Sequence, residues 1–255
     1  MIKSVAKAID ILNCFTNRKK VLSISEVAAQ LDMTKSTVSR LLSTLSAQGC
    51  VEPAGGYGQY KLGYRIYLWS QHLSDNNSIV NISHPIMQKL ANKSMESVSL
   101  YGIEGFKRIC IDAVESPHEI AKVQTPGAIL PLYAGASGKM LLAFKNRNEQ
   151  LDILNQIEFE KFTDKTPTTI ESIVESLDEI KSKGYGISIG EREDSAYSIV
   201  SPIWNASGDV VYSLSLSGPL FRYNEEKGEQ LLEMVLDAGK EISSILGYNN
   251  KRQKN

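Results

Sequence analysis

The sequence predicts an α+β protein in two parts: a small helical module with a hairpin, then a larger module in which strands and helices alternate. Three observations carry this. Residues 21–63, VLSISEVAAQLDMTKSTVSRLLSTLSAQGCVEPAGGYGQYKLG, read as two short helices, a tight turn and a Gly-rich hairpin. From Val98 onward, runs of strand character alternate with helical periodicity. Between the two, SDNNS at 74–78 is polar and turn-prone, and marks the boundary.

In chain order, Val5, Ala8, Ile9, Leu12 and Phe15 make one face of a first helix, while Ile2, Ile11 and Cys14 leave apolar groups on another side. Such a two-faced helix suits both core packing and contact with a second copy. Ser23 and Glu26 stand at the spacing of a capping box and open a short helix through Leu31. Asp32-Met33-Thr34 interrupts the pattern, and Thr34 caps a second helix in which Val38, Leu41, Leu42 and Leu45 form the core face. The opposite face presents Lys35, Ser36, Thr37, Ser39 and Arg40, with Thr44 one turn further on. Short hydroxyls and two cations at a helix N-terminus, where backbone amides attract phosphate, describe a surface that reads DNA. Gly49 closes the helix, and Gly55, Gly56 and Gly58 supply a hairpin loop, the candidate wing, with Lys61 placed for a phosphate. Residues 1–63 are therefore expected to be a winged helix-turn-helix domain. Leu62, Ile66, Trp69 and Leu73 repeat at 4, 3 and 4 in a connecting helix and linker over 64–77.

The second part spans 78–248, after which 249–255 form a polar tail. It opens with a helix over 79–94 and continues through strands VSLYGI, RICIDAV, YGISIGE, SIVSPIW and VVYSLSLS, with TPGAILPLYAGASGK as a loop. Thr168 and Glu171 stand as a second capping box, Gly184 stops that helix, and Asn224 opens the last one, whose core residues are Leu231, Leu232, Val235, Leu236, Ile242, Ile245 and Leu246. YSLSLS at 212–217 alternates strictly, with Leu214 and Leu216 on one side and three serines on the other, a face that is either solvated or lines a ligand.

Composition narrows the function. With 42% hydrophobic and 22% charged residues the chain is globular, and no apolar run reaches membrane-spanning length, so a cytoplasmic protein without a membrane partner is expected. Residues 1–75 hold 9 Lys and Arg against 5 Asp and Glu, whereas 76–255 hold 19 against 24, so the near-neutral total hides a basic module and an acidic remainder. Cys14, Cys50 and Cys110 have no CxxC spacing and read as packed thiols. GASGK at 135–139 fails as a phosphate loop, because Tyr133 and Met140 stand where a glycine and a hydroxyl are required. His72, His84 and His118 lack metal-ligand spacing, and no GxSxG elbow is present, so no catalytic residue, metal or cofactor is assigned. An enzyme would reveal itself by turnover dependent on Ser137, Ser198 or His118; the other alternative is a metabolite-binding sensor without DNA recognition, which the uncharged wing tip brings into view.

Three stretches then carry a resemblance over residues 4–246. SVAKAIDILNCF with the 22–63 segment is similar to the winged helix of the IclR family of bacterial transcriptional regulators, LPLYAGASGKMLLA resembles its mid-domain loop and helix, and GYGISIGE with SIVSPIWNASGDVVYSLSLSGP resembles its C-terminal signature. The resemblance implies a GAF-like mixed α/β effector-binding domain joined by a helix to the DNA-binding domain, and self-association to a dimer or tetramer. It implies a DNA-binding regulator, expected to repress a catabolic operon through a pseudo-palindromic double-stranded operator and to answer to a small organic-acid or sugar-acid effector. Carried over by position, the effector pocket falls on Leu130, Ala136, Ser137, Ser188, Ala196, Ser198, Ser215 and Ser217, with Ile120 and Val123 beside them.

Overall fold

The computed structural model describes residues 2–16, 19–74, 79–122 and 124–249, with 70–74 described by their backbone. They divide into two compact units, Met1–Ser78 and Ile79–Asn255.

The first unit runs α1 (Lys3–Asn13), β1 (Val21–Ser23), α2 (Ile24–Gln30), α3 (Lys35–Ala47), β2 (Val51–Pro53), β3 (Gln59–Leu62) and α4 (Tyr64–Ser74). The Ser23 hydroxyl accepts from Glu26 N at 3.2 Å while the Glu26 carboxylate accepts from Ser23 N at 2.8 Å, the reciprocal cap expected from the sequence. Asp32 turns the chain with φ 48°, and the Thr34 hydroxyl accepts from Thr37 N at the start of α3. Ile11, Leu22, Val27, Val38, Leu42 and Val51 close the core between helices and hairpin. Two features differ from the sequence reading. β1 was not expected; it pairs with β3, Leu22 opposite Tyr60, so that the wing is a three-stranded sheet ordered β1-β3-β2. On α1, Ile11 and Cys14 point into the core, whereas Ile2, Val5 and Ile9 stay exposed. Of the connecting seam, Trp69 is exposed and the Leu73 side chain lies outside the described residues.

The second unit runs α5 (Ile79–Ser94), β4 (Ser97–Glu104), β5 (Lys107–Val114), β6 (Ile129–Pro131), α6 (Ala136–Ala143), α7 (Arg147–Leu154), α8 (Ile170–Lys183), β7 (Gly186–Ile189), β8 (Ala196–Trp204), β9 (Val210–Pro219) and α9 (Glu225–Ile245). The strands form one antiparallel sheet, β6-β5-β4-β9-β8-β7. One face packs on α5 and α9 through Leu100, Ile199, Leu214, Leu216, Leu231 and Val235. The other packs on α6 and α8 through Tyr101, Cys110, Met140, Leu141, Ile173 and Val200. In β5 a bulge intervenes: Leu100 pairs with Asp112 but the next residue, Tyr101, with Cys110, leaving Ile111 as the extra residue. Short β6 lies inside the segment expected to be a loop. Thr169 rather than Thr168 caps α8, its hydroxyl accepting from Ser172 N. On α9, Ile245 is exposed rather than core-facing, and Tyr248 stacks on Trp204 with ring centroids 5.3 Å apart. Among the described residues no helix is long and apolar enough to cross a membrane.

Candidate functional site

The α6/α8 face of the sheet is where polar chemistry collects. Ser213, Ser215 and Ser217 are all buried there, which removes the solvated reading of the serine face. Ser213 donates to the Ser137 carbonyl at 3.1 Å and so ties β9 to α6. Ser215 and Ser217, with Ser137, Ser188, Ala196 and Ser198, line a cleft enclosing about 440 Å³ of empty space counted to its open mouth. Of the remaining residues carried over from the resemblance, Leu130 is half-buried on β6 and Ala136 fully buried, both within the α6/α8 packing layer and not in the cleft wall. Ile120 is exposed, and Val123 lies outside the described residues.

The entrance of α6 explains why the loop before it is rich in glycine. Gly135 holds φ 87°, and a Cβ on Gly138 would sit 2.3 Å from the Leu132 carbonyl oxygen, so only glycine lets the helix approach this closely. Lys139, which made the segment look like a phosphate loop, is buried in an ion pair with Glu191 at 2.7 Å. The other Glu191 oxygen accepts from Gly135 N at 2.9 Å. Thr163 and Thr166 donate to the Gly190 and Glu191 carbonyls, both at 2.7 Å, and fix the loop that carries Glu191 over the cleft.

The cleft also contains charged residues that the sequence reading passed over: Arg108, Lys122, Arg192, Glu191 and Glu193, beside Tyr101 and Gln124. Glu191 is engaged by Lys139, and Glu193 pairs with Lys122. Arg108 is 3% exposed, and among the described residues its Nε and Nη1 have no hydrogen-bond partner. Its guanidinium lies 5.0 Å from the centre of the Tyr101 ring. Burial lowers its pKa to about 10, a value at which the group stays charged at neutral pH. Among the described residues no group of three or more His, Cys, Asp or Glu side chains is placed to hold a metal ion. The three cysteines are free and buried.

In the first unit, Lys35, Ser36, Arg40 and Thr44 are exposed along α3, and Thr37 and Ser39 are half-buried. Thr34 draws the Ser36 and Thr37 hydroxyls to 3.1 and 2.9 Å, and the Thr44 hydroxyl donates to the Arg40 carbonyl at 3.0 Å. Arg40 and Lys35 thus remain the long reaching groups of this surface. Lys61 pairs with Glu52 on the neighbouring strand at 2.9 Å, and the wing tip is Tyr57, fully exposed.

A helix-turn-helix with a wing, followed in one chain by a sheet domain with a polar cleft, defines a DNA-binding regulator of transcription. Residues 4–55 match the IclR helix-turn-helix domain and residues 71–244 the bacterial transcriptional regulator IclR C-terminal domain. The chain belongs to the IclR family and is a regulator, not an enzyme. It is 28% identical to the HTH-type transcriptional regulator KdgR of Escherichia coli over 98% of this chain and 94% of that one. The IclR structure from Thermotoga maritima superposes with a TM-score of 0.76 at 28% identity, covering 97% and 100% of the two chains. An IclR homologue from Microbacterium hydrocarbonoxydans, solved with 4-hydroxybenzoate, shares the fold with a TM-score of 0.84 at 21% identity over 95% and 98% of the chains.

Proposed function

We propose that this regulator is a cytoplasmic, sequence-specific repressor of a catabolic operon, released or tightened by a small organic acid or sugar acid bound in the cleft. The observation that carries the reading is the cleft itself: five serines from four separate elements converge on one space, and its three cations outnumber its two carboxylates. Hydroxyls recognise the oxygens of a polyol or hydroxy acid, and the cation excess favours a carboxylate. The binding of a hydroxylated aromatic acid by the Microbacterium homologue accords with an acid, and this cleft sets Tyr101 and Tyr197 among its serines.

On DNA, Lys35, Ser36, Thr37, Ser39, Arg40 and Thr44 form the reading surface, with Lys61 reaching a phosphate once released from Glu52. The exposed Ile2, Val5 and Ile9 of α1 and Tyr64, Leu68 and Trp69 of α4 support self-association, as apolar groups that a second copy would cover. A dimer, or a dimer of dimers, sets two α3 helices into major grooves about 34 Å apart on a pseudo-palindromic operator. Effector binding alters operator affinity only if the two DNA-binding geometries differ in effector affinity. The test is selection of genomic DNA fragments by the purified protein at near-physiological salt, repeated with candidate acids. A recovered pseudo-palindrome whose retention changes with an acid supports the reading; recovery indifferent to every acid removes the effector half of it, and a shift toward tighter binding with activation of the downstream gene removes repression.

A further inference from the structure

Resting on the reading of the cleft as the effector site, we propose that Arg108 is its specificity-determining anion anchor: the guanidinium takes the effector's carboxylate in a two-point grip while Ser215 and Ser217 hold oxygens further along the molecule.

A buried guanidinium that serves only architecture is surrounded by acceptors, because an uncompensated internal charge costs several kcal/mol. Arg108 is buried, and the described residues supply its Nε and Nη1 with no such acceptors. The ring of Tyr101 on β4 lies beside it. The acid nearest to it in electrostatic effect, Glu191, is already held by Lys139 and Gly135 N, while Arg192 adds a second positive charge. The β5 bulge is what turns Arg108 and Cys110 to the cleft side, since Asp112 beyond Ile111 faces α5 and bonds His84 Nδ1 at 2.7 Å. The guanidinium lines the same space as the serines, and a carboxylate fits one of its two-nitrogen edges, Nε with Nη2 or Nη1 with Nη2, bidentately.

The experiment uses the full chain and pairs of isosteric acids and amides, lactate with lactamide, glycerate with glyceramide and 4-hydroxybenzoate with 4-hydroxybenzamide, read by thermal shift and calorimetry. The expected result has two parts. Acids but not amides raise the melting temperature of the wild type, and Arg108→Met weakens acid binding at least tenfold. In the absence of any ligand the same variant melts higher than the wild type, by about 2–4 °C for each kcal/mol of relieved burial in a chain of this size. Arg108→Lys keeps the charge without the fork, so it retains the preference for acid over amide with weaker affinity. A fall in the ligand-free melting temperature of Arg108→Met marks a structural arginine and overturns the proposal. An acid bound equally well by wild type and Arg108→Met also overturns it, while leaving the acid-effector reading intact. Equal binding of acid and amide by the wild type removes both.

Discussion

The two faces of the six-stranded sheet are made from the same strands yet solve different problems. Toward α5 and α9, Leu214 and Leu216 sit at 0% exposure in a largely aliphatic cluster, where burial supplies the stability. Toward α6 and α8, the intervening residues Ser213, Ser215 and Ser217 are nearly as buried, but they bring hydroxyls into a layer that also holds Arg108 and the Lys139–Glu191 pair. Polar groups enclosed this way contribute little to stability and demand partners. The comparison teaches that one strand can be stabilising on its even-numbered side chains and chemically selective on its odd-numbered ones, so position along β9 matters less than parity.

Substitutions break or sharpen that contrast. On the aliphatic face, Leu216→Ala is expected to cost about 2–5 kcal/mol in urea unfolding, because a fully buried leucine leaves a cavity. Next in size is the ion-pair knot at the edge of this face. Glu96 is wholly buried and accepts from Arg222 at 2.7 and 3.0 Å and from Lys227 at 3.3 Å. Burial opposes its charge, but Arg222 and Lys227 outweigh burial and lower its pKa. Arg222→Met leaves that carboxylate with Lys227 alone and is expected to cost about 3 kcal/mol at pH 7. Since the folded-state pKa of Glu96 lies below its unfolded value of about 4.3, its contribution is complete above that pH and is lost as the pH falls through the depressed value. The gap between wild type and Arg222→Met should therefore close in acid unfolding below about pH 4. Outside the sheet, Arg40→Ala provides a control: operator affinity should fall by about 1–3 kcal/mol in a DNA-binding titration with the melting temperature unmoved, and unchanged affinity would remove Arg40 from the reading surface. The smallest stability effect belongs to Ser215→Ala, within about 1 kcal/mol, accompanied by loss of acid-induced stabilisation. A destabilisation as large as that of Leu216→Ala would erase the distinction between the faces.

Legibility in the sequence followed locality. The α2–α3 pair was readable because its caps and its Val38–Leu45 spacing are set within a few residues, and the serine alternation of β9 was readable for the same reason. β1 escaped because three residues carry no periodicity and its pairing is settled by β3, far along the chain. Ile2, Val5 and Ile9 share helical spacing with residues that are buried, and spacing alone does not say which apolar stripe of α1 faces the core. Arg108 escaped for a subtler reason. RICIDAV looks like a regular strand in which Arg108, Cys110, Asp112 and Val114 share one side, whereas the bulge at Ile111 sends the first two to the cleft and the last two to α5. A charged residue in such a run is ordinarily taken for a solvated one. Its only local signal is its in-phase spacing with Cys110, a residue seldom found in water.

That bulge gives β5 two reading frames. Upstream of Ile111 the frame spells out what the cleft meets; downstream it spells out what α5 meets, through Asp112 and His84. Point substitutions alter single letters, but deleting one residue there would bring the frames into phase, turning either the arginine away from the cleft or the aspartate away from the helix. The strand's length is thus part of its specification, and insertions or deletions at Ile111 should be tolerated far less well than replacements of the isoleucine itself.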